Sequence, residues 1–237
     1  MKTCKTIVIF KRLIEQIMEN TMKSKIISLI VLLGIGLSGC GFWGVRGNGH
    51  VKEETRDVMD FQKIDAGGAF SIRVYVGSPT SLKISAEENL LSYIRTNVKG
   101  NTLEIDTRKS ISPRKEILIT ITTPDLRSVD VSGANNVVVE GINGDSFNVE
   151  LSGAGNIKLK GEVEKMRAGI SGAGSIDARY LKAQDVHVSV SGAASAEVYA
   201  TKFLEASVSG VGSINYYGNP ESTKTNVSGV GSISRKD

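Results

Sequence analysis

From Phe61 onward, apolar and polar residues alternate with a period of two. Ile72, Val74 and Val76 interleave with Ser71, Arg73 and Tyr75. Leu82 and Ile84 follow a Gly77-Ser78-Pro79 turn, and Leu103 and Ile105, then Ile117, Ile119 and Ile121, repeat the pattern. Alternation at that period predicts strands with one buried face. Residues 87–97 interrupt it and read as one short helical turn or a loop. Pro113 and Pro124 fall at strand ends, where a missing N–H costs least.

Past Val131 a second, longer period appears. Near-identical five-residue motifs begin at Ser132, Ser152, Ser171, Ser191, Ser209 and Ser228, with steps of 20, 19, 20, 18 and 19 residues. The residue before each serine is apolar (Val131, Leu151, Ile170, Val190, Val208, Val227). So is the residue after each motif (Val137, Ile157, Ile176, Ala196, Ile214, Ile233). Equivalent residues at a near-constant step mean one structural unit stacked on copies of itself. A coil of about 19 residues at ~3.3 Å each has a perimeter near ~60 Å, enough to enclose a core one or two side chains wide. The predicted fold is all-β, a single-stranded parallel β-helix or solenoid, right-handed by the crossover rule. Residues 61–130 would form its irregular opening coils and 131–237 its repeat coils, as one continuous domain. A separate small β-domain over 61–130 is the alternative.

The first glycine of each motif (Gly133, Gly153, Gly172, Gly192, Gly210, Gly229) is the expected corner residue, at positive φ. The third motif residue (Ala134, Ala154, Ala173, Ala193, Val211, Val230) is expected to point inward where the bend narrows. The fifth (Asn136, Asn156, Ser175, Ser195, Ser213, Ser232) is expected to cap corner backbone or to bond the coils above and below.

Few residues suggest chemistry. Gly153-Ala154-Gly155 is no dinucleotide loop, because strand alternation and not a helix follows it. Six motif serines without a paired base are not nucleophiles. His50 and His187 have no second His or Cys at ligand spacing, so no metal and no cofactor is expected. One outward column is polar, and it places Lys158, Asp177 and Glu197 on successive coils. These three form a candidate ligand-facing ladder; alternating charges of this kind also read as surface ion pairing. No catalytic residue is assigned.

The chain front carries an address. In residues 22–39, Lys23 and Lys25 precede an apolar run and small residues, the layout of a secretory signal. Leu37-Ser38-Gly39-Cys40 resembles a bacterial lipobox, in which Cys40 becomes the acylated (palmitate-type) first mature residue. Residues 1–21 hold Glu15 and Glu19, unusual in a basic n-region, and read as a non-native extension ahead of a start at Met22. Residues 40–60, Gly-rich and then charged, are expected to be a flexible tether. Its Phe42 and Trp43 would lie at headgroup level or simply in solvent.

That leader changes the meaning of the charge. The chain has 29 Lys and Arg against 25 Asp and Glu, of which residues 1–39 hold six and two, leaving 23 of each sign. A neutral mature chain gives no support to a nucleic-acid partner or a broad basic surface. Cys4 and Cys40 are the only cysteines, so no disulfide is expected in the exported domain.

The SGAG/SGVG array, with FQKIDAGGAFSIRVYVG, ENLLSYIRTNVKGNTLEI and ILITITTPDLRSVDVSG before it, resembles a bacterial family over about Phe61 to Ser234. The family is called putative auto-transporter adhesin, head GIN domain. The resemblance implies a β-helical, envelope-associated domain, often in lipoproteins. Together with the anchor it leads to an expected non-enzymatic adhesion or binding module, held by lipid at the outer membrane on either face. Its partner would be the membrane itself plus a glycan or an envelope protein. The alternatives are a polysaccharide-active enzyme on the same fold, and a structural envelope protein that self-associates as a homo-oligomer.

Overall fold

The computed structural model describes residues 44–237; the 1–21 extension, the leader, Cys40 and the Phe42-Trp43 pair lie outside the described residues. Gly44–Asp237 forms one compact unit with a core of its own. Its first part consists of β1 (Val45–Arg46), β2 (Val51–Arg56), β3 (Lys63–Ala66), β4 (Ser71–Val76), β5 (Ser81–Glu87), α1 (Glu88–Leu91), β6 (Ile94–Lys99), β7 (Thr102–Thr107), β8 (Ile111–Ser112), β9 (Leu118–Thr123) and β10 (Ser128–Gly133). Long, bent strands follow: β11 (Asn136–Gly153), β12 (Asn156–Gly172), β13 (Ser175–Tyr217) and β14 (Ser222–Arg235).

The predicted solenoid is what forms, with about five turns of parallel stacked coils. The register shows like above like. Ile119, Ile72, Val137, Ile157 and Ile176 oppose one another in sequence across β9, β4, β11, β12 and β13. Val129, Val149, Ala168 and Val188 make a second inward column. All nine are buried. β-Branched residues suit this packing because they lie flat on the pleat and against the copy one coil away. In the opening half the repeat is absent and antiparallel pairs enter: β5 lies between β2 and β9, and β6 pairs with β7. These hairpins belong to the same sheet as the coils, so the opening half closes the first end of one domain. Residues 87–97 contain the short helix α1, whose Leu90 and Leu91 are buried.

Residues 44–56 are not part of a flexible tether, as their composition suggested. Val45 and Arg46 pair in parallel with Ile111 and Ser112, and β2 pairs antiparallel with β5 along its length. The lock is Glu87, a buried side chain whose carboxylate accepts the N–H groups of Gly49, Arg114 and Lys115. A Cβ on Gly47 would run into that same carboxylate. A long-range contact of this kind leaves no local signature in a Gly-rich segment.

The corners require two corrections. Five of the six corner glycines have positive φ, but Gly153 is not among them. There the requirement for glycine is contact alone, since a Cβ would meet the Gly133 carbonyl. The third motif residue is exposed, not inward: Val211 is 62% and Val230 77% exposed, and all four alanines of the column are exposed. Alternation runs unbroken through the corner: Val131, Asn135 and Val137 are all buried, so the third residue falls on the outer face and the fourth turns in. That position is Asn135, Gly155, Gly174, Ala194, Gly212 and Gly231. Asn135 is 1% exposed and fully engaged: its Oδ1 accepts Phe70 N–H at 2.8 Å, and its Nδ2 donates to Ser132 O at 2.6 Å and Gly68 O at 3.3 Å.

Candidate functional site

The two 20-residue coils each accommodate one residue more than their 19-residue neighbour, and both do so by a bulge. One lies between Glu140 and Ile142, at Gly141. The other lies opposite Lys158–Lys160: Lys158 faces Asp177 and Lys160 faces Tyr180, so Ala178 and Arg179 together oppose Leu159. A bulge re-aims the side chain it displaces. Ala178 keeps the inward position and Arg179 is turned onto the outer face.

Arg179 thereby becomes the centre of the charged ladder. Its Nε and Nη2 donate to the two carboxylate oxygens of Asp177 at 3.0 and 2.9 Å, a fork-on-fork pair. Nε is also 2.6 Å from Glu197 Oε2. Its Cζ stands 5.8 Å from the Tyr180 ring centre and 6.0 Å from that of Tyr217. The hydrogen bond from Arg179 holds the Asp177 carboxyl below its ordinary value against the opposing effect of burial, and Asp177 in turn raises the guanidinium. Lys158, Asp177 and Glu197 do line one groove, of about 590 Å³, with Asn136, Asn156, Ser175 and Ser195. Asn156 donates to Asn136 Oδ1 at 3.1 Å, and Ser175 to Asn156 Oδ1 at 2.7 Å, so the fifth motif column bonds coil to coil. The groove is thus a trough with two polar ladders running along the stack. A smaller recess beside it, about 230 Å³, includes Lys160, Arg179 and Tyr180, and Tyr180 is 66% exposed.

Sequence reasoning missed Arg179 and Tyr180. The signal for the first was present: the step from Ser171 to Ser191 is one residue longer than the step before it. His187 is 3.1 Å from Glu205 and tilts against the Phe203 ring at 5.6 Å. Among the described residues no group of His, Cys, Asp and Glu is arranged to hold a metal ion.

A second column was also not anticipated. Glu104, Asp65, Asp130 and Glu150 occupy successive rungs of the outer face. Burial, then the neighbouring carboxylate, pushes Asp130 and Glu150 upward. A raised carboxyl binds its proton more readily in the folded chain, so stability here is gained as pH falls, opposite to Asp177. Asp130→Asn is therefore expected to stabilise the domain at neutral pH by about 0.5 kcal/mol. The gain should vanish in acid, as thermal melts across pH would record.

The chain resembles known proteins on both levels. The family model for the putative auto-transporter adhesin, head GIN domain, matches residues 60–220. The crystal structure of a putative adhesin from Bacteroides fragilis is 30% identical, covering 81% of this chain and 100% of that one, with a TM-score of 0.69. A putative lipid binding protein from Parabacteroides distasonis is 21% identical, covering 81% and 99%, with a TM-score of 0.49. A putative adhesin from Parabacteroides merdae is 19% identical, covering 82% and 99%, also at 0.49. No curated protein is detectably similar. The motif array, the coil architecture and the family match agree, and the chain belongs to the putative auto-transporter adhesin, head GIN domain family.

Proposed function

We propose that the chain is a lipid-anchored, non-enzymatic binding module of the bacterial outer membrane, acylated at Cys40, that presents its trough to a glycan or an envelope protein. The observation that carries this reading is the trough itself. Two polar ladders repeat at the coil spacing of about 4.8 Å, close to the repeat of an extended sugar chain, beside an exposed aromatic ring. The same geometry counts against an enzyme. Asp177 and Glu197 both engage Arg179, and the Asp177 carboxyl, held below its ordinary value by that pairing, is a poor general acid near neutral pH.

The test is binding of Gly44–Asp237 to an array of neutral and acidic glycans and to envelope extracts. Lys158→Ala with Tyr180→Ala should weaken any captured ligand at least tenfold while leaving the melting temperature within a few degrees, about 1 kcal/mol. Binding untouched by that pair would move the site elsewhere. Metabolic labelling with a palmitate analogue, lost on Cys40→Ser, tests the anchor separately.

Self-association is a second reading, favoured by the last coil. Among the described residues β14 pairs with β13 alone, and its Val227 and Val230 are 44% and 77% exposed. An open edge of this length is a template for another chain. Light scattering over a concentration series separates a tail-to-tail pair from a monomer.

A further inference from the structure

The opening end carries a concentration of charge that the neutral total conceals. Arg46 of β1 opposes Ser112 of β8, and β8 is flanked by Arg108 and Lys109 on one side and Arg114 and Lys115 on the other. Backbone bonds hold these segments together: Val45 N–H to Ser110 O at 2.9 Å, Gly47 N–H to Ser112 O at 3.1 Å, and Arg114 and Lys115 N–H on Glu87. All five cationic side chains are exposed. Among the described residues, none of the five is ion-paired. The nearby carboxylates are otherwise engaged: Glu87 is buried on backbone N–H groups, Glu88 pairs with Lys52, and Glu116 accepts from Ser71.

The same rim receives the chain from Cys40, which precedes Gly44 by four residues. At no more than ~3.6 Å per residue, an anchored Cys40 lies within about 14 Å of Gly44, where the strap formed by residues 44–56 begins. A twenty-residue tether would have let the body float; the strap removes that freedom.

We infer that this rim docks on the bilayer that holds the anchor, with Arg46, Arg108, Lys109, Arg114 and Lys115 facing anionic phospholipid headgroups. The inference rests on the lipid-anchored reading. A polybasic patch is the second signal that turns marginal acyl binding into stable attachment. Its cations act within a Debye length of the surface, which the short connection ensures.

The test uses a chain from Cys40 to Asp237 carrying Cys40→Ser, so that no lipid contributes. It is sedimented with vesicles of phosphatidylcholine alone, or with one quarter phosphatidylglycerol, at about 0.1 M and about 0.5 M salt. Partition onto the anionic vesicles should be at least tenfold higher at the lower salt and fall to the neutral level at the higher. Arg108→Glu, Lys109→Glu, Arg114→Glu and Lys115→Glu together should abolish it without changing the melt. Arg235→Glu with Lys236→Glu, in the last coil, should leave it intact. Equal binding to both vesicles, retention after the fourfold reversal, or loss with the distant pair would each overturn the inference. Failure here with palmitate labelling intact would leave the anchor reading standing.

Discussion

Gly192→Val is expected to destabilise the domain by about 3–4 kcal/mol, lowering the melting temperature by roughly 10 °C. Two independent causes act at one residue. Gly192 has φ +113°, a region that a β-branched side chain enters only with strain. A Cβ there would also collide with the carbonyl of Gly172 in the coil below. Relaxing the clash would lift coil from coil, and Gly192 has coils on both sides: a Cβ on Gly210 would lie 2.8 Å from the Gly192 carbonyl. The neighbouring Ala193→Val supplies the contrast. Its position in the motif is exposed and already holds valine at Val211 and Val230, so its cost should stay within about 0.5 kcal/mol. Equal melts for the two variants would remove the corner account.

Glu87→Ala is expected to release the strap of residues 44–56, which carries β1 and β2. Three backbone N–H groups, from Gly49, Arg114 and Lys115, would lose their shared acceptor in a buried site. Amides of Val45–Arg46 and Val51–Arg56 should then exchange with solvent like those of an unfolded segment, while those of β11–β13 keep their protection. Acid should mimic the substitution. Burial pushes the Glu87 carboxyl up, but the backbone donors together outweigh it and leave the group below its ordinary value. A depressed carboxyl contributes stability that is present above its unfolded value and is lost as pH falls through the folded one. The strap should therefore open in acid below the ordinary glutamate range, ahead of the coils. Hydrogen exchange at neutral and acid pH reads both effects; strap protection unchanged in the variant would show that β1 and β2 are held by pairing alone.

The coils were legible because their cause is periodic. Val131, Leu151, Ile170 and Val190 are the same position four times over, and a stack is the arrangement that makes four copies useful. What escaped was whatever broke the period or came from far along the chain. The third motif residue was placed inward because it is small and the bend was expected to narrow there, whereas simple alternation from Val131 to Val137 puts it outside. Arg179 exists on the outer face because of a single inserted residue, visible only as a step of 20 in place of 19. The strap escaped because its acceptor, Glu87, lies 38 residues from Gly49 in sequence. The acidic column Glu104–Asp65–Asp130–Glu150 escaped for a related reason: the first two come from the opening half, where no repeat sets the register.

The central claim, that the chain is a stack of interchangeable in-register coils, is tested most directly by removing one of them. Ile170 opposes Val190 and Ser171 opposes Ser191, so deleting Ser171–Val190 joins Ile170 to Ser191 without disturbing any inward column. Thermal unfolding followed by circular dichroism should show this shortened chain folded, with one cooperative transition. Deleting only Ser171–Tyr180, about half a coil, should lower the melting temperature far more, because residues 181–237 can no longer stack in register on the coils before them. Two deletions that melt alike would contradict the stack.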